Sequence, residues 1–370
     1  MKILVISQHL FPIQTPRAHR TTELVKELSR QGHDVTVYAV LGQQDYSTFE
    51  STYNIQVKNI PIHFQKHPYN SDGDGKRTII DKILGRLLGK ILEFPNIEFT
   101  LRVPEIIQKE NNFDALITIA DPHQIHWGAA KARKRNPNNF PPVWIADCGD
   151  PFMMNQSKNG HLAYFARFEK SFCRLCDYIT VPVIEAKNAY YSEFRDKIRI
   201  IPQGFEFTIE NNPAPDNAVI TFAYAGTFYQ DIRNPSAFLN FISSLAIDFK
   251  FVVYTLHTEL LIPYKKKLGN RLEIRKPLDR IKLIEELKKM DFLLNIENIK
   301  SPSQIPSKLI DYAITGRPIL SINPRMSSTD AIVEFLNRDF SKQLVVHDIE
   351  NYQISNVTRQ FIDLINEKHK

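Results

Sequence analysis

Short apolar runs alternate with amphipathic segments along the first half of the chain. Residues 3–6 form a continuous apolar run, which is typical of a strand buried on both faces of a sheet. Residues 21–29 then carry apolar side chains at helical spacing before Gly32, and residues 34–40 form the next strand-like run. The same alternation continues at 115–119, 127–135, 143–146, 178–181 and 198–201. Strands that alternate with helices predict a doubly wound α/β domain.

A second α/β series follows a polar segment rich in chain breakers at 204–218, which is typical of a linker. The predicted strands are 219–224, 251–254, 292–295 and 317–321, and the predicted helices are 235–245, 283–289 and 307–315. We therefore expect an α/β protein with Rossmann-like domains at 1–207 and 208–350 and a C-terminal helix within 351–370. Parallel sheets of this kind bind ligands at the carboxyl ends of their strands, and we expect the two domains to face each other across a cleft.

The segment 76–94 departs from this alternation because it predicts one long amphipathic helix. Its apolar side chains fall on one face, and Lys82, Arg86 and Lys90 form a basic stripe on the other. Five basic and two acidic residues give this segment a local net charge of +3, half of the formal +6 of the chain. Two interpretations stay open: the apolar face packs on the domain core, or the helix lies on an anionic membrane.

Composition narrows the class of protein. A chain of 370 residues with three cysteines does not fit a disulfide-stapled scaffold, and a reducing, cytoplasmic compartment suits it best. Cys173 and Cys176 form a CxxC pair, but no further Cys or His pair completes a zinc site nearby, so we expect a structural role and no metal. No apolar stretch is long enough to span a bilayer, which leaves a soluble protein or one bound peripherally to the inner face of the membrane.

The segment 305–320 carries the strongest local signal for an anion site. Pro306 and Ser307 favour the start of a helix, where free backbone N–H groups and the helix dipole attract an anion. Lys308 adds a positive charge there, and Asp311 follows one turn later, where it can accept hydrogen bonds from sugar hydroxyls. These residues predict a phosphate site, although an ordinary capped helix is an equally good reading of the motif alone.

Several motifs together resemble the retaining glycosyltransferases of family 4, which have the GT-B fold of two Rossmann-like domains. The strand and glycine turn at 222–227, followed by Arg233, are similar to the family's diphosphate clasp. Residues 200–205 resemble its interdomain Pro-Asn-Gly segment, and 144–151 resemble an Asp-Phe-Arg-Asp-Pro pattern found in one branch. Residues 272–278 with 290–294 resemble the segment that brackets the nucleotide base. The order and spacing of these motifs extend over nearly the whole chain.

The resemblance implies a metal-independent donor site in the second domain. It implies that Arg233 and Lys308 are the catalytic cations that offset charge on the leaving diphosphate. It also implies that Asp311 binds the ribose hydroxyls. The first glutamate of the family's Glu-x7-Glu pattern falls on Ser303, and this departure leaves the donor sugar open. The other donor-binding residues implied are Gly226, Thr227, Lys276, Pro277, Pro306 and Ser307.

The resemblance places the acceptor in the first domain. His123 and His126 follow a predicted strand at its carboxyl end, and Asp147 and Asp150 follow the next one. We expect His123 and Asp150 to take part in catalysis, and Arg17, His126 and Asp147 to contact the acceptor. A cap or core contact for the histidines, a turn cap for the aspartates and a solvated Arg17 are the alternatives. The resemblance also suggests that the C-terminal helix returns to the first domain.

The sequence thus predicts a hexosyltransferase-type enzyme with no cofactor besides its donor substrate. It would move a sugar from a nucleotide-diphosphate donor to a glycan or lipid-linked acceptor in bacterial-type surface polysaccharide or glycoconjugate synthesis. The alternative is a catalytically impaired GT-B scaffold or nucleotide-sugar-binding protein, because Ser303 and Gly149 depart from the family's patterns. A nucleic-acid partner is not expected, since the basic run at 131–135 stands at a predicted helix end without any nucleic-acid motif.

Overall fold

The computed structural model describes residues 1–64, 79–153, 161–208, 213, 215–230, 233–297, 307–325 and 329–369, with the backbone alone at 79–84, 307 and 369. The chain divides into two compact units. Unit 1 combines Met1–Glu206 with Asn351–Lys370, and unit 2 is the continuous stretch Phe207–Glu350.

Each unit is built on a parallel sheet, and their strands are numbered here along the chain. They are β1 (Lys2–Ser7), β2 (Asp34–Ala39), β3 (Ile55–Asn59), β4 (Ala115–Ile119), β5 (Val143–Asp147), β6 (Tyr178–Val181), β7 (Ile198–Ile200), β8 (Thr221–Ala225), β9 (Lys250–Tyr254), β10 (Leu272–Arg275), β11 (Phe292–Ile296) and β12 (Ile319–Ile322). In the described ranges the strand order is β3-β2-β1-β4-β5-β6-β7 in unit 1 and β10-β9-β8-β11-β12 in unit 2. In each sheet the strand order changes direction at the first strand of the unit, which is β1 in unit 1 and β8 in unit 2. This is the doubly wound arrangement, and the predicted α/β fold class is confirmed.

Helices connect the strands and cover both faces of each sheet. They are α1 (Pro16–Arg30), α2 (Ser47–Tyr53), α3 (Ile79–Leu92), α4 (Phe99–Lys109), α5 (Gln124–Arg135), α6 (Phe165–Leu175), α7 (Ile184–Ala189), α8 (Ser236–Ser244), α9 (Ile262–Leu268), α10 (Arg280–Lys288), α11 (Ser307–Ile314), α12 (Asp330–Leu336) and α13 (Ile354–His369). None of those in the described ranges combines the length and the apolar character needed to cross a bilayer.

Unit 1 has two hydrophobic cores because side chains alternate between the faces of its sheet. Leu4 and Ile6 of β1 point to the core formed with α4, α5 and α6. Ile3 and Val5 point to the opposite core, formed with α1, α2 and α13. Both faces are therefore covered, which explains why the strands are apolar without alternation.

The C-terminal helix α13 belongs to the second of these cores. Val357, Phe361 and Ile365 are fully buried there, and the Arg20 guanidinium of α1 lies 5.0 Å from the centre of the Phe361 ring. Gly204 approaches the same helix closely, because a Cβ at this position would stand 2.5 Å from Ile354 Cδ1. The end of the chain thus completes the core that its beginning starts.

Helix α3 leaves three of its described apolar side chains exposed to solvent, whereas Leu88 is half-buried. Leu87 is 52% exposed, Ile91 41% and Leu92 45%, and the basic side chains of Arg86 and Lys90 are exposed as well. The interpretation that the apolar face packs on the domain core is therefore wrong for these side chains, since core packing would bury them. Lys82 and the rest of the predicted segment before residue 85 lie outside the described side chains.

Candidate functional site

A cavity of about 230 Å³ lies in unit 2 at the carboxyl ends of its strands. Gly226 and Thr227 line it directly after β8, Leu256 follows β9 and Pro277 follows β10. Lys308, Asp311 and Tyr312 line it from α11. The structure therefore brings together five of the predicted donor-binding residues, which are distant in the sequence, at the edge where parallel sheets bind ligands.

Two cationic side chains lie near each other here, Lys308 on the cavity wall and Arg233 beside it. Lys308 Nζ and Arg233 Nε are buried, and within the described part of the chain neither atom has a hydrogen-bond partner. Burial, and secondly the charge of Arg233, lower the pKa of Lys308 to about 7. An anion bound between the two would relieve both effects, since it would supply acceptors and opposite charge.

Aromatic side chains position the lysine and the glycine turn. Lys308 Nζ lies 4.3 Å from the centre of the Tyr224 ring, and the Tyr224 hydroxyl donates to the Thr227 carbonyl. The Tyr312 hydroxyl accepts the backbone N–H of Ala225 at 2.8 Å, which ties α11 to the end of β8. Gly226 has a φ of +132°, a region that favours glycine, so its place in the turn has a conformational reason.

Asp311 lies on the cavity wall but is already paired. Arg280 Nε donates to its Oδ1 at 2.8 Å, although burial raises the pKa of Asp311 against the effect of this arginine. Lys276 is exposed outside the lining, whereas the adjacent Pro277 belongs to it. Ser303 and Pro306, which were also predicted to bind the donor, lie outside the described residues. For Ser307 only the backbone at the start of α11 is described.

In unit 1, Asp147 is the centre of a buried charge network rather than an acceptor contact. Its carboxylate is 1% exposed and accepts from Arg17 Nη2 at 3.0 Å, from Arg20 Nη2 at 2.9 Å and from the Thr180 hydroxyl at 2.7 Å. Burial raises the pKa of Asp147, but the two guanidinium groups outweigh it and hold the pKa below its usual value. The predicted acceptor role of Asp147 is therefore corrected, because both of its oxygens are occupied within the fold.

Arg17 is the part of this network that reaches solvent. Its side chain is 21% exposed, and besides Asp147 it donates to the backbone carbonyl of Ala120. Arg20 is 3% exposed and donates to the carbonyls of Ile201 and Pro202. Contact of an acceptor with Arg17 stays a prediction, whereas burial excludes such a contact for Arg20.

His126 is also a core residue. It is fully buried, its Nδ1 lies 2.8 Å from the Thr118 hydroxyl and its Nε2 lies 3.3 Å from Cys148 Sγ. Burial, and secondly the nearby His123 and Arg17, lower its pKa well below the usual value, so the imidazole is neutral. The predicted acceptor contact of His126 is wrong for this reason. His123 is 5% exposed with its Nε2 3.0 Å from the Asp150 carbonyl, while the Asp150 side chain is exposed, and their catalytic roles stay predictions.

Unit 1 also has a larger recess at the carboxyl ends of β1 and β2. Its volume is about 580 Å³, and Gln14 and His19 line it beside several aromatic side chains. The rings of Phe11 and Phe49 stack at 6.0 Å, and the ring of Tyr53 lies 4.9 Å from that of Phe49. Gln14, three residues before the predicted acceptor contact Arg17, thus borders a cavity of ligand size.

Sequence reasoning missed the residues that support the donor cavity. The contact of Tyr224 with Lys308 and the bond of Arg280 with Asp311 join positions far apart in the chain. A tyrosine inside an apolar strand and an arginine at a helix start are ordinary in their local sequence. No local signal singles them out, because the contacts arise only when the strands and α11 pack together.

The sequence model described as Glycosyltransferase Family 4 matches residues 18–208 of this chain, which is just over half of it. No curated protein sequence matches significantly.

Solved structures share the fold at low sequence identity. A glycosyltransferase from Rickettsia africae ESF-5 aligns with a TM-score of 0.63 and 14% identity, over 100% of this chain and 99% of its own. The apo form of the lipopolysaccharide outer core galactosyltransferase WaaB aligns with a TM-score of 0.61 and 14% identity over 100% of both chains. TarM aligns with a TM-score of 0.60 and 10% identity over 99% of this chain and 98% of its own. At these identities the likeness establishes the GT-B fold.

Proposed function

Because the chain belongs to glycosyltransferase family 4, we propose that it transfers a sugar from a nucleotide-diphosphate donor to a glycan or lipid-linked acceptor. The observation that carries the donor part is Lys308 on the wall of the cavity in unit 2 with Arg233 beside it. Lys308 Nζ and Arg233 Nε are both buried, and neither atom has a hydrogen-bond partner among the described residues. A cation without an acceptor is costly to bury, so an anionic ligand best explains why a cation occupies this position. A diphosphate supplies both the charge and the acceptor oxygens.

The two cations would act on the leaving group. When the bond between the anomeric carbon and the diphosphate oxygen breaks, negative charge builds on that oxygen, and Lys308 and Arg233 offset it. We propose that this makes the transfer independent of a metal ion. With retention, the acceptor hydroxyl attacks from the face that the diphosphate leaves, and a phosphate oxygen takes its proton. The bond from the anomeric carbon to the acceptor oxygen thus replaces the bond to the diphosphate oxygen, and the acceptor proton leaves with the diphosphate.

The remaining donor contacts follow from the cavity. Asp311 would accept from the ribose hydroxyls while Arg280 holds its carboxylate, and Pro277 with Lys276 would border the base. The acceptor would bind in unit 1, where Arg17 and the recess lined by Phe11 and Phe49 are accessible. Aromatic faces pack on the apolar faces of sugar rings, which suits a glycan of bacterial-type surface polysaccharide or glycoconjugate synthesis.

Nucleotide titration tests the donor site directly. Calorimetry with UDP, GDP and ADP, followed by their sugar conjugates, should find one base that binds, and turnover should follow with the matching sugar. Charge removal by Lys308→Met or Arg233→Met should weaken binding about 10- to 100-fold, because a hydrogen bond to a charged group contributes about 1.5–3 kcal/mol. Lys282→Met is the matched control, since Lys282 is 76% exposed on α10 of the same unit.

Two results would contradict the proposal in different ways. Unchanged nucleotide affinity in both methionine variants would remove the diphosphate site. Strong nucleotide binding by the wild type, without turnover or hydrolysis of any donor, would favour the catalytically impaired binding protein instead.

Helix α3 supports a peripheral membrane contact as a second part of the proposal. Leu87, Ile91 and Leu92 are exposed beside the charges of Arg86 and Lys90, and this combination suits the interface of an anionic bilayer. Flotation with vesicles containing anionic lipid should recover the protein, and the variant Arg86→Glu/Lys90→Glu should stay in the soluble fraction. The control variant Lys134→Glu/Arg135→Glu changes two exposed cations of α5 and should still float. Flotation that is equal in both variants would exclude α3 as the contact.

A further inference from the structure

Three ligand-type side chains meet in the core of unit 1. His123 and His126 come from the start of α5, and Cys148 directly follows β5. One ligand atom of each residue lies within 4.8 Å of the others, and all three side chains are buried. The closest pair is His126 Nε2 and Cys148 Sγ at 3.3 Å.

Oxygen atoms hold the two imidazoles from outside the cluster. His126 Nδ1 lies 2.8 Å from the Thr118 hydroxyl, which in turn accepts from Trp144 Nε1 at 2.8 Å. His123 Nε2 lies 3.0 Å from the Asp150 carbonyl. Partners of this kind fix the orientation of a histidine ring, as they do around metal-bound histidines, and leave the second ring nitrogen directed elsewhere.

We propose that His123, His126 and Cys148 bind a zinc-type divalent ion in the core of unit 1. Two imidazoles and one thiolate select zinc and other borderline or soft ions over magnesium or calcium. A tetrahedral zinc ion, with bonds of about 2.0 Å to nitrogen and about 2.3 Å to sulfur, holds these atoms roughly 3.5 Å apart. The 3.3 Å between His126 Nε2 and Cys148 Sγ is close to that separation, and a modest inward shift of His123 completes three ligands.

Binding changes the protonation of the cluster. The Cys148 thiol loses its proton to solvent as the sulfur–metal bond forms, and each histidine uses the lone pair of a neutral nitrogen. The ion would then join the segment between β4 and α5 to the segment after β5. Three protein ligands would leave the fourth tetrahedral position to a water molecule or another donor. The site is independent of the donor site proposed in unit 2.

A metal-free description of the same atoms makes the opposite prediction. The same groups also form a chain of neutral hydrogen bonds, which runs from Trp144 Nε1 through the Thr118 hydroxyl and His126 to the Cys148 thiol. The thiol in turn donates to the Ala146 carbonyl, with 3.7 Å between sulfur and oxygen. Such a chain needs no ion. The two descriptions therefore differ in the metal content of the folded protein.

Metal analysis of the full chain decides between them. The protein is incubated with zinc sulfate, dialysed against metal-free buffer and measured by plasma mass spectrometry. We expect about one zinc per chain in the wild type and less than about one tenth in Cys148→Ser. Cys176→Ser is the matched control, because Cys176 is a buried cysteine of the same core outside the cluster, and it should retain the zinc.

Cobalt substitution provides a second readout that reports the ligands themselves. Cobalt bound to a thiolate gives a charge-transfer band in the near ultraviolet, which should appear in the wild type and in Cys176→Ser. A folded wild type without retained zinc and without this band would overturn the proposal. Zinc retained equally by Cys148→Ser, with no thiolate band in the wild type, would show adventitious surface binding and would overturn it as well. If Cys148→Ser does not fold, His123→Gln, which leaves the thiol in place, takes its part in the comparison.

Discussion

Lys308 illustrates the conflict between stability and binding at a single residue. Its ammonium group is buried over Tyr224 and beside Arg233, with no acceptor for Nζ among the residues that the structure describes. The unfolded chain would hydrate this charge freely, so the folded state is disfavoured by it. A residue kept in such an environment is typical of a binding site that gives up stability for function.

Replacing Lys308 by methionine should therefore stabilise the protein while it weakens nucleotide binding. The folded pKa of Lys308 is about 7, below the usual 10.5, so the unfavourable contribution is complete below pH 7 and fades as the pH rises to 10.5. At pH 7 we expect Lys308→Met to raise the Tm by about 2–5 °C. Scanning calorimetry from pH 6 to 10 should show this gain shrinking with rising pH. A gain that is constant over this range would contradict the assigned pKa.

The same lysine predicts a pH dependence of donor binding. Lys308 attracts the diphosphate only in its charged form, so the affinity of the free protein for a nucleotide sugar should fall as the pH rises above about 7. Calorimetric titration from pH 6 to 9 measures this fall. The variant Lys308→Met should show weaker affinity with little dependence on pH, and a slope equal to that of the wild type would assign the titration to another group.

Asp147 has the opposite role, because it stabilises unit 1 through paired charges. Asp147→Asn leaves the buried Arg20 without its carboxylate partner, and we expect a loss of about 3–5 kcal/mol in the free energy of unfolding. Denaturant unfolding measures it, with Asp363→Asn on the exposed face of α13 as the control. A loss below 1 kcal/mol would show that Arg17 and Arg20 find other partners.

The residues of the site were only partly accessible from the sequence. Lys308, Gly226 and Thr227 lie in motifs whose local pattern predicts a turn or a helix start. All three line the donor cavity. Asp147 ends β5 and His126 lies in the first turn of α5 after β4, yet both side chains are buried in the core. Position along a strand predicts which edge of the sheet a residue occupies, but the packing of distant helices decides whether its side chain reaches solvent.

At the scale of elements, Gly204 shows why a glycine of the linker-like segment is needed. An added Cβ would stand 2.5 Å from Ile354 Cδ1 and 3.2 Å from Val357 Cβ, both on α13. Gly204→Ala should cost about 1–3 kcal/mol, and adding Ile354→Val, which removes Cδ1, should restore part of it. Gly149→Ala is the control, since nothing lies within 4 Å of its Cβ position. Equal stability of the two alanine variants in urea would contradict this packing.

The elements that the sequence predicted are those with strong periodicity. The strands near 3–6, 115–119 and 143–146 and the helices near 127–135 and 307–315 lie within a few residues of their observed bounds. Helix α4 was missed because Pro104 lies in its interior, where the sequence argues against a helix. Strand β3 was missed because it is an edge strand with only Ile55 buried, so its apolar pattern is weak.

At the scale of the whole molecule, the two units differ in how the chain builds them. Unit 1 needs both ends of the chain, since α13 fills the core that β1 and α1 begin. Unit 2 is one continuous stretch with its own five-stranded sheet in the described ranges and its own buried core around Phe222 and Phe292. The donor cavity, Lys308 and Arg233 all lie within unit 2.

A fragment of residues 207–350 should therefore fold and bind nucleotide without the rest of the chain. We expect a cooperative thermal transition and an affinity for the preferred nucleoside diphosphate within roughly tenfold of that of the full chain. The fragment with Lys308→Met should lose affinity as the full chain does, and the fragment with Lys282→Met should not. A folded fragment without nucleotide affinity would show that unit 2 does not hold the complete donor site.

A fragment of residues 1–206, in contrast, should fail to unfold cooperatively. It lacks the buried side chains of Val357, Phe361 and Ile365, so its core would be left unfilled.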